Sequence, residues 1–304
     1  MLPLSSAASV GTRLNASFGL QLPLAHALAQ PTAWLLRQVA EFKLVVLRGP
    51  AAGFDIDAFA RVLERLGAVA EHPLDQFTVP GRRGILILSN LYRDGSPVGV
   101  HEGGSYWHTD MSYKQQNCVL TALYSVCAPR ASELSATEFL DCGVTEQLLN
   151  ELRAGRLAPC LAGQDLEAWT VRHVFGNRNR DLAGNAATQE LSAEQSLRLG
   201  GAVGHPLVVV HPITRRKSLY GVAATSISID GQTLEASQRR LNALLGYLLE
   251  RAARHTHHYL PGDVVIWDNL SLLHRGRQLP ASTDPEDCRL LWRMNVDYSQ
   301  QSNP

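Results

Sequence analysis

The segment Tyr106-Trp107-His108-Thr109-Asp110 sets an imidazole and a carboxylate two residues apart, on one side of an extended chain. Such a pair can bind one metal ion, or it can be an ordinary surface pair. Far along the chain, Leu272-Leu273-His274-Arg275-Gly276 brings another histidine into an apolar setting, where a hydrogen-bonded core histidine is the competing reading. In Arg289-Leu290-Leu291-Trp292-Arg293, positions 289, 291 and 293 share one face of a strand. If that face is buried, two guanidiniums need anionic partners, because an unpaired buried charge is too costly. If it meets solvent, Leu290 and Trp292 face the core instead.

The elements that must position these residues are short strands with a few helices. Residues 42–48 form an apolar run stopped by Gly49-Pro50 and predict a buried strand. A helix follows, capped by Asp55 or Asp57, with Phe59, Val62, Leu63 and Leu66 at helical spacing until Gly67. Strands are expected at 84–89, before a loop containing Gly95, Gly99, Gly103 and Gly104, and at 117–127, before Pro129. Further strand-like runs lie at 206–211 and 218–222, and again at 263–267 and 289–296. Leu234, Leu241, Leu244, Leu245, Leu248 and Leu249 predict a helix over 234–254. His255, His257 and His258 then fall at its C-terminus, where cationic side chains are favourable. The result is a mostly β chain with flanking helices, an α+β sandwich or barrel with helical cover.

Lysine plus arginine and aspartate plus glutamate are equal at 28 each, giving a net charge of zero, which speaks against a generally basic nucleic-acid binder. No run approaches the ~18 apolar residues of a membrane span. The five cysteines are odd in number and lack CxxC spacing, so neither a disulfide framework nor a zinc ribbon is indicated and a reducing cytoplasm fits. The chain reads as one domain over 1–304, with a lid or insert at about 165–185 that includes the polar stretch Asn177-Arg178-Asn179-Arg180-Asp181. A small diffusible substrate is expected, and self-association into a homo-oligomer is compatible with this composition.

Two histidines and one carboxylate on one face of a metal, with other positions open, are the ligand set of non-haem Fe(II) oxygenases. The order and spacing of several segments together resemble the taurine dioxygenase and 2,4-dichlorophenoxyacetate dioxygenase family of Fe(II)- and 2-oxoglutarate-dependent oxygenases. These segments are Val45-Val46-Leu47-Arg48-Gly49, Trp107-His108-Thr109-Asp110 with Ser112, and Thr137-Glu138-Phe139-Leu140-Asp141. The likeness continues through His211-Pro212-Ile213-Thr214 with Ser218-Leu219-Tyr220, Trp267-Asp268-Asn269 before His274, and Arg289 with Arg293. The long interval between Asp110 and His274 also suits this family.

The resemblance implies a double-stranded β-helix, the jelly-roll barrel, with His108, Asp110 and His274 as iron ligands. By position, Arg289 would pair with the distal carboxylate of 2-oxoglutarate and Thr137 would donate to the same group. Arg293 matches a position that often binds an acidic group of the substrate, and His72 in Glu71-His72-Pro73 stands where the family has a substrate-side histidine. Glu102 could meet a substrate amine, or stay a solvated loop carboxylate. The implied reaction uses Fe(II), 2-oxoglutarate and O2, releases succinate and CO2, and hydroxylates or desaturates a small carboxylate- or amino-acid-like molecule. Halogenation is disfavoured, because halogenases of this chemistry lack the carboxylate ligand. Three departures stand out: Leu134-Ser135-Ala136 replaces Gly-Gly-Asp before the threonine, and Gly104 and Asp75 replace the asparagine and tyrosine of taurine dioxygenase. A sulfonate pocket is therefore not expected. Two other readings remain, a zinc hydrolase on the same ligands and an inert jelly-roll protein that binds a small acid.

Overall fold

The computed structural model describes residues 10–49, 54–101, 104–131, 134–176, 178 and 190–301. Its central sheet runs, in spatial order, Thr12–Arg13, Leu20–Pro23, Leu44–Arg48, Val264–Asp268, Val119–Cys127, Leu290–Asp297, Arg82–Ser89 and Thr78–Val79. Only the pairing of Leu20–Pro23 with Leu44–Arg48 is parallel. A smaller sheet of Arg254–His258, Ala136–Asp141 and Leu272–Gly276 faces it, giving the two sheets of a jelly roll.

Both faces of the central strands are covered, which is why they read as unbroken apolar runs. Leu44, Val46, Val265, Trp267, Leu123 and Leu291 meet Phe139 and Leu272 of the smaller sheet inside the barrel. Their neighbours of opposite parity, Val45, Leu47, Val264, Ile266, Ala122 and Met294, meet Leu35, Leu36, Val39, Phe59, Leu63 and Leu66 from two outer helices. Those helices are Thr32–Phe42 and Ile56–Leu66. Asp55 caps the second by accepting from the Ala58 N–H, and Gly67 follows its last residue. The smaller sheet obeys the same alternation. Leu140 and Leu273 face outward onto Leu241, Leu244, Leu245 and Leu248 of the helix Leu234–Arg251, so Leu272 and His274 point inward. On Leu290–Asp297, the inward position of Leu291 turns Arg293 and Asn295 the same way.

Several boundaries differ from the sequence expectations. The long helix ends at Arg251, three residues early, and Leu234 is exposed rather than part of its apolar stripe. His255, His257 and His258 are not at a helix terminus: they belong to the strand Arg254–His258, held by pairing with Ala136–Asp141. Burial lowers His255 to about 4 and lowers His257 as well, although its Nε2 lies 3.1 Å from Asp263 Oδ2. The run 206–211 is broken at Leu207, with Val203–Pro206 in one sheet and Val208–Val210 paired to Lys217–Leu219 in another. Of the expected lid, 165–176 contains a 3-10 turn, Leu166–Ala168, and the strand Thr170–His173. Residues 177 and 179–185 lie outside the described residues, as does most of the polar stretch 177–181.

Phe59 is fully buried beneath the outer helix and meets Tyr124 ring to ring. Phe59→Ala is expected to lower unfolding free energy by about 3–5 kcal/mol, read as a fall in urea midpoint. A loss below about 1 kcal/mol would show that this contact does not hold the helix.

Candidate functional site

His108 and His274 are brought together by backbone pairing. Each N–H donates to the other's carbonyl at 3.0 Å, and the two rings lie 4.1 Å apart. His108 Nδ1 is 2.8 Å from the Tyr106 carbonyl; donating there leaves the Nε2 lone pair free as a ligand. Close passage of the preceding loop requires Gly104: its φ is +72°, and a Cβ there would come 3.1 Å from His108 Cε1.

His108 Nε2 and His274 Nε2 each stand 3.4 Å from one oxygen of Asp110, and the three ligand atoms lie within 4.8 Å of one another. Among the described residues no other group of three His, Cys, Asp or Glu side chains converges in this way. Burial favours a neutral imidazole and, with His108 nearby, lowers His274 to about 4. Burial alone would raise Asp110, but the Arg293 charge and His274 outweigh it and hold the carboxyl well below the usual range. Two imidazole nitrogens and an ionised carboxylate in one cavity are a donor set suited to a divalent metal.

At one end of that cavity Arg289 is buried, with Nη1 donating to the Arg277 carbonyl at 2.8 Å and Nε without a partner. Burial lowers this guanidinium to about 10, so it is still charged at neutral pH. Thr137 lines the same cavity and shares a 3.0 Å hydrogen bond with the Tyr259 hydroxyl, although the turn before it departs from the family pattern. A buried cation with an unused N–H beside three side chains that could hold a metal can receive a carboxylate. Arg289, Leu291 and Arg293 do share a buried face, so the solvent-facing alternative fails.

Arg293 Nη2 pairs with Asp110 Oδ1 at 2.8 Å, a contact that sequence reasoning did not foresee. His72 lines the cavity and accepts the Leu74 N–H at Nδ1 over 3.2 Å; burial, then Arg293, keep it well below the usual imidazole range. The remaining wall is largely apolar, with Leu74, Leu86, Leu88 and Val100 packed against Phe175, and with Tyr113 and Met111. Phe175 meets both His72 and Tyr113 edge to face. Asp75 takes no part, being paired with Arg198 at 3.0 Å. Glu102 lies outside the described residues.

Further polar residues that composition alone did not single out support the site. Thr121 and Asn269 bond to Asp110, and their signal was a polar side chain at an inward position of an otherwise apolar strand or just beyond it. Beneath Asp110, Ser112 and Thr225 share a 2.7 Å hydrogen bond, and Thr225 is 2.9 Å from His173 Nδ1. His173 is buried with Nε2 unpartnered, and Gly221, at φ +60°, is required because a Cβ would approach His173 Cε1 to 2.4 Å.

The chain matches the taurine catabolism dioxygenase TauD, TfdA family over residues 3–295. It is 26% identical over 275 residues to pentalenolactone F synthase of Streptomyces arenae, covering 86% of this chain and 85% of that protein. It is 27% identical over 194 residues to the alpha-ketoglutarate-dependent 2,4-dichlorophenoxyacetate dioxygenase of Cupriavidus pinatubonensis, covering 64% and 62%. The fold superposes on the crystal structure of AAD-2 in complex with Mn(II) and N-oxalylglycine with a TM-score of 0.67, at 18% identity over 95% of this chain and 97% of that one. No helix among the described residues is long and apolar enough to cross a membrane.

Burial lowers His173 from its ordinary value to about 3. The unfolded chain therefore takes up a proton near pH 6.5 that the folded chain refuses, and stability falls as pH drops below that point, by up to about 1.4 kcal/mol per unit. Between about pH 7 and 4.5, His173→Asn is expected to lose about 2 kcal/mol less than the parent chain in urea unfolding. Equal losses would show that His173 does not titrate in this way.

Proposed function

The chain belongs to the taurine catabolism dioxygenase TauD, TfdA family and is an Fe(II)- and 2-oxoglutarate-dependent dioxygenase, and on that basis we propose that His108, Asp110 and His274 hold its iron. Arg289 receives the distal carboxylate of 2-oxoglutarate, and Thr137 donates to the same group. The observation that carries this reading is the buried guanidinium of Arg289, with its Nε unpartnered, sharing one cavity with the three side chains His108, Asp110 and His274. A zinc hydrolase or an inert acid-binding barrel would leave one half of that pairing without a purpose.

Iron and 2-oxoglutarate, when bound, supply the oxidising power, with O2 as oxidant and succinate and CO2 as co-products. The chain's own part is to bind, orient and exclude water. His108 presents Nε2 because its Nδ1 proton is engaged by Tyr106, and Asp110 stays ionised because Arg293 lies beside it. Phe139 and Trp267 flank the ring of His274 and keep that side of the centre dry.

The substrate is a small molecule with an apolar body and one anionic group. Leu74, Leu86, Leu88, Val100 and Phe175 face the body. Two of the five N–H groups of Arg293 engage Asp110 and Asn295, and the remainder of the fork, with His72, faces the anion. Relatives named for 2,4-dichlorophenoxyacetate and (S)-phenoxypropionate act on molecules of this kind. Five unpaired cysteines suit a reducing cytoplasm.

Anaerobic addition of Fe(II) and then 2-oxoglutarate to the apoprotein is expected to produce the weak visible charge-transfer band of the chelate. Asp110→Ala should abolish it, and Arg289→Ala should weaken 2-oxoglutarate binding by about 2–5 kcal/mol. Tight Zn(II) binding with no band in the parent chain would instead point to hydrolysis.

A further inference from the structure

The hydrogen bonds around Asp110 close into a ring. Thr121 stands directly across from Asn295 in the ladder between Val119–Cys127 and Leu290–Asp297, and this register brings both side chains together on the inward face. The Thr121 hydroxyl donates to Asp110 Oδ2 at 2.8 Å. It accepts from Asn295 Nδ2 at 2.6 Å and from Asn269 Nδ2 at 2.8 Å. Asn295 Oδ1 accepts from Arg293 Nε at 3.1 Å, and Arg293 returns to the other oxygen of Asp110. All of these groups lie in the barrel interior, and Thr121, Asn269 and Asn295 are almost fully buried.

A hydroxyl on its own rotates to suit its surroundings. Here both lone pairs of Thr121 are filled by amide N–H groups, so its single proton can point only at Asp110. Asn269 also fixes the backbone, since its Oδ1 accepts the Asp110 N–H at 3.1 Å. Each carboxylate oxygen accepts one hydrogen bond from the ring and keeps a further lone-pair site for a metal. The plane of the carboxylate is thus set from both oxygens without using the ligand positions.

We infer that Thr121, with its rotor locked by Asn269 and Asn295, is a positioning residue that orients Asp110 for metal binding, and that Arg293 completes the ring from the other oxygen. The inference rests on the metal centre proposed above. It assigns Thr121 a role in metal affinity in addition to any part in holding the two strands together.

The test is titration of the apoprotein with Co(II) under argon, read by its visible ligand-field band, with no turnover involved. Thr121→Val keeps the shape and removes the hydroxyl. It should bind Co(II) about 10–100-fold more weakly with an altered band, and Thr121→Ser should restore most of the affinity. A folded Thr121→Val that binds Co(II) as tightly as the parent, with the same band, overturns the inference. So does a loss that serine fails to restore, which would make packing rather than the hydroxyl responsible. If Thr121→Val does not fold, Asn295→Ala, which unlocks the rotor but leaves the hydroxyl, decides by the same comparison of affinity and band. A parent chain that takes up no Co(II) at all instead removes the metal centre itself.

Discussion

A carboxylate taken out of water must be surrounded by donors or by positive charge, and the barrel interior is arranged around meeting that demand at Asp110. Removing it from solvent costs several kcal/mol; Arg293, Thr121, Asn269 and two imidazoles stand around it in compensation. Three strands and two loops are committed to this one group. The inward parity of Val119–Cys127 supplies Thr121, that of Leu290–Asp297 supplies Arg293 and Asn295, and Leu272–Gly276 supplies His274. Moving any of these strands by one residue would turn its donor outward and leave the charge uncompensated.

The two sheets therefore serve different ends on their two faces. The outward positions that meet the helices Thr32–Phe42, Ile56–Leu66 and Leu234–Arg251 are apolar, while the outward Glu138 and Arg275 pair with each other. Inward positions change character along each strand: Leu123 and Leu291 are apolar, whereas Thr121, Arg293 and Asn295 are polar. The apolar inward side chains pack into the core, and the polar ones are held to it by the same backbone. His108 is not part of either sheet, yet its two hydrogen bonds to His274 tie the glycine-rich loop to that frame.

Much of this was legible in the residues. The apolar runs at 42–48 and 263–267 hold the central strands Leu44–Arg48 and Val264–Asp268, because burial on both faces leaves an unbroken apolar signature, although Phe42 ends the preceding helix; Asp55, the Phe59 to Leu66 spacing and Gly67 marked a helix by local chemistry alone. The likeness of separate segments to one family joined His108, Asp110, His274, Arg289, Thr137, His72 and Arg293, and all seven meet in one cavity. What escaped notice was pairing. His255 to His258 follow a leucine-rich helix, and nothing local announces that Ala136–Asp141 will claim them as a strand partner. Thr121 and Asn295 are ordinary residues in sequence; only the register that sets one across from the other makes them a unit. Arg293 looked like a free receptor because its contact with Asp110 spans most of the chain.

Arg289 has a consequence for the life of the protein as well as for its chemistry. A buried guanidinium with an unfilled N–H is a cost carried by the folded chain whenever no anion is present. A dicarboxylate that binds there removes the cost from the folded state alone, so by linkage its concentration adds to the free energy of folding. Selection for greater stability at this position would favour an apolar residue, whereas on the proposed assignment selection for co-substrate affinity would keep the charge. On the proposed assignment of Arg289, the supply of the co-substrate then adds to the stability of the chain as well as to its rate.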